Sequence, residues 1–330
     1  MTRPSFISSE AVAAVLTWED AIDAVRTAYA QPANPTGAPP RTVARGEGSW
    51  LRTLPAVPRG SRCFGAKLMG MSTTAEAPGV EYVIVLYDRR TSRIAAFVDG
   101  ARVTAYRTAA TSAVALDRLA PRTPVRLGVL GTGLEATMHV RAFAAVRELA
   151  EVVVHSPTPA HRDAFVEAVR RDLGVDARAV ASPREVCDGA SVVLAAARSR
   201  GEQPILFGED LADGMTVVSI GSTVAEQREL DVSVLTRCDL MVCDTPSEVL
   251  GETGDLLAAT QQGIDVRDRC FSLRDLVSGE IDTRVREARL PLFKSVGEGL
   301  QDIAVAELVW LKAMEAGLAV ELPMTFETKS

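Results

Sequence analysis

Apolar and polar positions divide the chain into two regimes. Through residues 121–297, short apolar runs alternate with stretches of helical periodicity. The runs that read as strands are Val125–Leu130, Val152–His155, Ala177–Val180, Ser191–Ala197, Met215–Ile220 and Asp239–Cys243. Between them, Thr137–Arg147, Pro159–Leu173 and Pro183–Asp188 read as helical. Runs with almost no polar position, such as Val192 to Ala197, belong to parallel strands covered on both faces. The alternation predicts a doubly wound α/β domain. Segment 245–290 reads as helical and polar, and Leu292–Gly297 leads into a last helix, Leu300–Glu315.

Residues 1–120 follow another pattern. Ser8 or Ser9 can cap a first helix, and Thr17-Trp18-Glu19-Asp20 resembles a capping box that opens a second, with Ala21, Val25 and Tyr29 on one face. The run Gln31–Pro40 is a loop, since neither helix nor strand ladder tolerates so many prolines. Trp50–Leu54, Cys63–Met69, Tyr82–Tyr87 and Arg93–Val98 then predict an antiparallel meander. Val103–Ala120 reads as a long helix crowded with Ala, Ser and Thr, and Pro121 ends it.

Composition narrows the function classes. At 330 residues the chain is long enough for two domains, each with its own core. Net charge is −7 with no basic block, which argues against a nucleic-acid partner. No run of about 18 apolar residues offers a membrane span. The early acids Glu10, Glu19 and Asp20 are unlike a secretory signal. Five scattered cysteines without C-x-x-C spacing fit free thiols in a reducing cytoplasm rather than disulfides or zinc. Three histidines make a histidine metal centre an unexpected feature. Lys67, Lys294, Lys312 and Lys329 are the only lysines, and two of them fall inside the motifs below.

Three stretches carry chemistry. In the first, Gly131-Thr132-Gly133-Leu134-Glu135-Ala136 follows the apolar run Val125–Leu130 without a gap. Strand, glycine turn and helix start are what a dinucleotide needs: Gly131 for the tight turn, Gly133 for close approach to pyrophosphate, Ala136 for helix packing. The phosphates would meet the positive helix end. An acid after the next strand would hold a ribose 2′-hydroxyl, yet none occurs before Asp163. Ser156, Thr158 and Arg162 stand there instead and suit a 2′-phosphate, so NADP is expected over NAD. The second stretch, Thr104 to Ala113, sets Arg107 in a small-residue helix, either exposed or aimed at an anion it grips bidentately. The third, Gly65-Ala66-Lys67-Leu68-Met69-Gly70, sets one lysine on an apolar strand. It either guards an edge or faces a substrate.

Together these stretches resemble the ornithine cyclodeaminase and mu-crystallin family. The resemblance rests on P-R at Pro40-Arg41, G-x-K-x-x-G from Gly65, R-T-A-A-T-S-A from Arg107, and G-x-G-x-x-A from Gly131. It extends to G-S-x(5)-R-E-L-D from Gly221 and L-F-x-S-V-G-x-x-x-Q-D from Leu292. The match covers about Arg41 to Asp302. The resemblance implies a Rossmann domain, expected over 121–297. A second, α+β domain, expected over 1–120 with 298–330, would bind substrate and form a homodimer. It also implies that Arg41, Lys67 and Arg107 hold the carboxylate of a small amino or imino acid, with Lys67 exchanging protons at the imine nitrogen. Thr108 and Ser112 would line the cofactor or substrate side of their helix. Gly221 and Ser222 would neighbour the nicotinamide ribose, and Ser295, Val296 and Gly297 would close over the ring. Cyclodeaminases carry an acid where this chain has Thr223, and a second where it has Arg52. A hydroxyl is no carboxylate base at neutral pH. Three activities stay open: an NAD(P)-dependent imine reductase or amino acid dehydrogenase, an ornithine-type cyclodeaminase, and a cofactor-holding protein. Thr223 and Arg52 favour the first.

Overall fold

The computed structural model describes residues 3–34, 36–73, 79–197 and 203–327. Two compact units emerge: one takes the chain up to Thr108 and again from Glu298, the other takes Ala109–Gly297. The division falls inside the helix Gly100–Leu119, not at its end near residue 121. Its second half carries Ala109, Ala110, Thr111, Ser112, Ala113 and Ala115, all fully buried, so those small side chains belong to the core of the second unit. The helix stops one residue short of the position before Pro121, as the proline ring requires.

In the second unit, eight strands form one parallel sheet. Its order is Ala177–Ala179, Leu149–His155, Val125–Leu130, Val192–Ala195, Thr216–Ser219, Pro291–Lys294, Leu240–Cys243, Cys270–Ser272. The first five follow the order of a dinucleotide-binding sheet, reversing direction between Val125–Leu130 and Val192–Ala195. Leu130, Val193, Ala195, Val217 and Met241 are buried together in the core, and each large aliphatic side chain there contributes roughly 1.5–3 kcal/mol. Helices Leu134–Val146 and Pro159–Leu173 make the crossovers. The second ends on Gly174, whose φ of 66° supplies the left-handed cap. Two strands differ from expectation. Cys270–Ser272 lies in the segment read as wholly helical, and Pro291–Lys294, ending in a lysine, is a central strand. Both are too short to show a period, and a lysine reads as surface until its partners are known.

The other unit holds a seven-stranded sheet. Ser49–Ala56, Cys63–Ser72, Val80–Asp88 and Arg93–Asp99 form the expected antiparallel meander. Thr42–Gly46 adds an edge strand, and Ser5–Ile7 pairs parallel to Arg93–Asp99 on the other side. Helix Trp18–Ala30 opens on Thr17, whose side chain accepts from the Asp20 amide, and buries Ala21, Ile22, Val25 and Tyr29. The helix Gly299–Glu315 begins hard against the sheet: a Cβ on Gly299 would stand 2.5 Å from the Pro55 carbonyl oxygen. Among the described residues, no helix is long and apolar enough to cross a membrane.

Candidate active site

Strand register gathers the cations of the first unit on one face of its sheet. Lys67 pairs with Leu54, and Arg52 with Met69. Because side chains alternate, Arg52, Leu54 and Lys67 all project to the same side. Thr42 pairs with Thr53, so the register carried one step on sets Arg41 opposite Leu54, two strands and ~10 Å from Lys67. Arg41 is half-buried just ahead of that edge strand.

The helices that cover this face complete the cluster. Lys67 Nζ lies 2.9 Å from Asp302 Oδ1 and 3.4 Å from Thr104 Oγ1. Arg107 Nε lies 2.9 Å from the same Asp302 oxygen, and its Nη1 donates to Gln301 Oε1 at 2.8 Å. Gln301 Nε2 in turn donates to the Tyr29 hydroxyl at 2.9 Å, and that hydroxyl donates to Glu298 Oε1 at 2.5 Å. Lys67, Arg107, Gln301 and Asp302 are all buried. Arg107 is thus not an exposed guanidinium, and Lys67 is not an edge guard. Burial, then the Arg107 charge, pushes the Lys67 pKa down to about 8, with Asp302 pulling it back up and Arg52 adding to the depression. A group so placed can give or take a proton near neutral pH. Thr108 donates its hydroxyl to the Thr104 carbonyl of its own helix at 2.6 Å.

In the second unit, the loops at the carboxyl edge of the parallel sheet carry their own set of residues. Gly131 has a φ of 112°, and a Cβ there would meet the Ala196 carbonyl oxygen at 2.6 Å, so the turn demands glycine. Gly133 caps the helix Leu134–Val146 without a side-chain hydrogen bond, and a Cβ on it would meet nothing within 4 Å. Thr132 and Glu135 are half-buried, Leu134 is exposed and Ala136 is buried against the strand. A helix end with no side-chain cap and open space before it fits a pyrophosphate. Ser156 is buried, Thr158 is exposed at the head of helix Pro159–Leu173, and Arg162 Nη1 donates to the Val180 carbonyl at 2.7 Å.

Three buried carboxylates organise the remaining loops. Glu229 Oε1 accepts from Ser219 Oγ at 2.5 Å and from the Gly221 amide at 2.8 Å. Lys294 Nζ lies 2.9 Å from Asp255 Oδ2 and 3.7 Å from Glu229. Burial pushes Glu229 up to about 7 against the pull of Lys294. Burial alone would lower the Lys294 pKa, but Asp255 and Glu229 outweigh it and hold the ammonium charged. Ser222 Oγ donates to the Gln227 carbonyl, and the Thr223 hydroxyl donates to Gln227 Oε1 at 3.2 Å. Asp244 accepts from Ser295 Oγ at 2.6 Å and from the amides of Val296 and Gly297 at 3.1 and 2.7 Å. Ser295 is therefore engaged in holding its own loop.

Several of these partners were invisible to sequence reasoning. Asp302 and Gln301 were letters of a motif, and Asp244, Asp255 and His139 carried no signal. Ser112, expected to line a ligand, is fully buried and lies 2.9 Å from His139 Nε2.

Known proteins resemble the chain over most of its length. A Delta(1)-pyrroline-2-carboxylate reductase of Bacillus cereus is 28% identical over 269 residues, 80% of this chain and 82% of that protein. Ketimine reductase mu-crystallin of Mus musculus is 30% identical over 265 residues, 79% of this chain and 80% of that protein. The solved structure of Thermococcus litoralis Delta(1)-pyrroline-2-carboxylate reductase in complex with NADH and L-proline gives a TM-score of 0.88 at 26% identity, covering 96% of this chain and 100% of that one. The model of the ornithine cyclodeaminase/mu-crystallin family matches residues 3–317, and the chain belongs to that family.

Proposed function

We propose that this chain is an NAD(P)-dependent oxidoreductase that reduces a small α-imino acid, or oxidises the corresponding α-amino acid, by hydride transfer at Cα. The observation that carries the reading is the buried cation cluster. Lys67 and Arg107 share one carboxylate, Asp302, and Arg52 projects from the same face. Cations gathered on one face suit a ligand anion, which they can meet through charge-assisted hydrogen bonds. An α-imino acid always carries a carboxylate. Relatives named pyrroline-2-carboxylate reductase and ketimine reductase support the same chemistry.

The glycine loop, Ser156, Gly221–Ser222 and the Ser295–Gly297 loop would hold the dinucleotide, which supplies or accepts the hydride when bound. Arg41, Lys67 and Arg107 would fix the substrate carboxylate, and with it the position of Cα, while Arg52 would face the substrate side chain. Lys67 would protonate the imine nitrogen in reduction and take the proton back in oxidation. Thr158 and Arg162, with no acid between His155 and Asp163, support NADP over NAD. The sheet face away from Lys67, which bears Leu51, Leu68 and Val83, supports a homodimer through this unit. Cys63, Cys187, Cys238, Cys243 and Cys270 are free thiols, which supports a reducing, cytoplasmic setting. A cyclodeaminase reading lacks its acid: Thr223 offers only a hydroxyl, already on Gln227.

The test is a panel of cyclic imino acids, amino acids, and 2-oxo acids with amines, read by nicotinamide absorbance. Net turnover with at least one α-imino acid supports the proposal. Binding of NADPH with no turnover on any substrate would leave a cofactor-holding protein.

A further inference from the structure

Asp302 is a fully buried carboxylate to which the mechanism above gives no task. One of its oxygens, Oδ1, lies 2.9 Å from Lys67 Nζ and 2.9 Å from Arg107 Nε. Its other oxygen, Oδ2, is buried with no hydrogen-bond partner among the described residues. Both cations therefore converge on a single atom. Asp302 sits in the first turn of the helix Gly299–Glu315, where the helix end favours negative charge. The residue before it, Gln301, holds a second nitrogen of the same guanidinium and is itself fixed by Tyr29.

An arrangement of this kind is a poor stability device. Buried ion clusters rarely outdo apolar packing of the same volume. What it does supply is geometry. Two long side chains, from a strand and from a helix, are pinned by adjacent residues of a third element. The groups that face the lysine are Arg107, Asp302 and Arg52, with Thr104 Oγ1 at 3.4 Å and the Tyr82 ring at 6.0 Å. Among these described groups, Asp302 is the anion.

We infer that Asp302 and Gln301 are the positioning pair of this site: the carboxylate holds the Lys67 ammonium and the Arg107 guanidinium together, and the amide sets the plane of the guanidinium. This rests on the reading of the chain as an imino acid reductase. Without the carboxylate, the lysine faces two guanidinium charges in a buried site and loses its proton more easily. Asp302→Asn tests this cleanly, because Oδ2 has no hydrogen bond to forfeit and the change is one of charge.

The experiment measures kcat/KM against pH for wild type and Asp302→Asn with Δ1-pyrroline-2-carboxylate, alongside NADPH affinity and Tm. The expected result is a basic limb moved to lower pH by about one unit or more, with NADPH affinity unchanged. A uniform loss of activity with the limb unmoved overturns the inference, since that is what a merely structural residue would give. Gln301→Met provides the second arm, and decides alone if Asp302→Asn does not fold. There KM for the imino acid should rise about tenfold, with the limb unmoved, and an unchanged KM overturns the inference. A wild type inactive on every imino acid instead overturns the proposed function, and this inference with it.

Discussion

Ser112 Oγ and His139 Nε2 lie 2.9 Å apart in the core of the second unit, and the contact at the other ring nitrogen sets the direction of this bond. The other nitrogen, Nδ1, is 2.7 Å from the Glu135 carbonyl, which can only accept. Nδ1 is therefore protonated and Nε2 takes the serine proton. The ring is neutral, and burial pushes its pKa down from 6.5 to about 4.

That neutrality gives a stability prediction. In the window from pH 6.5 down to about 4, the unfolded chain binds a proton that the folded one refuses. Stability is full above this window and falls as pH drops through it, by up to roughly 3 kcal/mol. Denaturant unfolding of wild type and His139→Gln at several pH values checks this. The difference between the two should shrink on acidification, and a pH-independent difference would count against a neutral, buried imidazole.

Arg107→Lys should behave as a drastic change. The guanidinium meets Gln301 and Asp302 through two different nitrogens, a geometry that a point charge cannot reproduce. KM for the imino acid should rise by an amount equivalent to about 1.5–3 kcal/mol, while NADPH affinity holds. Equal loss of both would mean that Arg107 serves the fold.

Arg162→Ala should weaken NADPH binding by roughly 1.5–3 kcal/mol if the guanidinium meets the 2′-phosphate, and leave NADH untouched. Fluorescence titration of both nucleotides reads the outcome. Tighter binding of NADH by the wild type would show the preference to be reversed.

A cationic side chain on the substrate should be rejected. Arg52 projects beside Lys67, and Thr223 offers a hydroxyl where a ring-closing enzyme needs an acid. Ornithine with catalytic NAD+ should yield no proline, and Arg52→Gln should narrow the preference for imino acids with acidic over neutral side chains. Proline formed at a rate like that of imine reduction would overturn this view.

Local rules made some of the site legible, and long-range contacts hid the rest. Gly131 to Ala136 could be read because turn, helix start and packing position follow one another in the chain. Arg107 stood out as a charge among small residues, and Lys67 as a lysine between glycines. Their common partner did not: Asp302 lies 235 positions from Lys67, and nothing local marks an aspartate as buried. Lys294 shows the same limit. It closes a central strand because Asp255 and Glu229 neutralise it, and neither partner is near it in sequence. The strand Cys270–Ser272 was missed because three residues cannot establish a period.

Direct transfer of hydride to substrate carbon is the centre of the account, and isotope tracing measures it. The protein is given the α-imino acid that it reduces fastest, with NADPH deuterated at the transferable C4 position. The amino acid formed should carry one deuterium at Cα, with one oxidised cofactor for each product molecule. Unlabelled product, or turnover with no net oxidation of the cofactor, would contradict it.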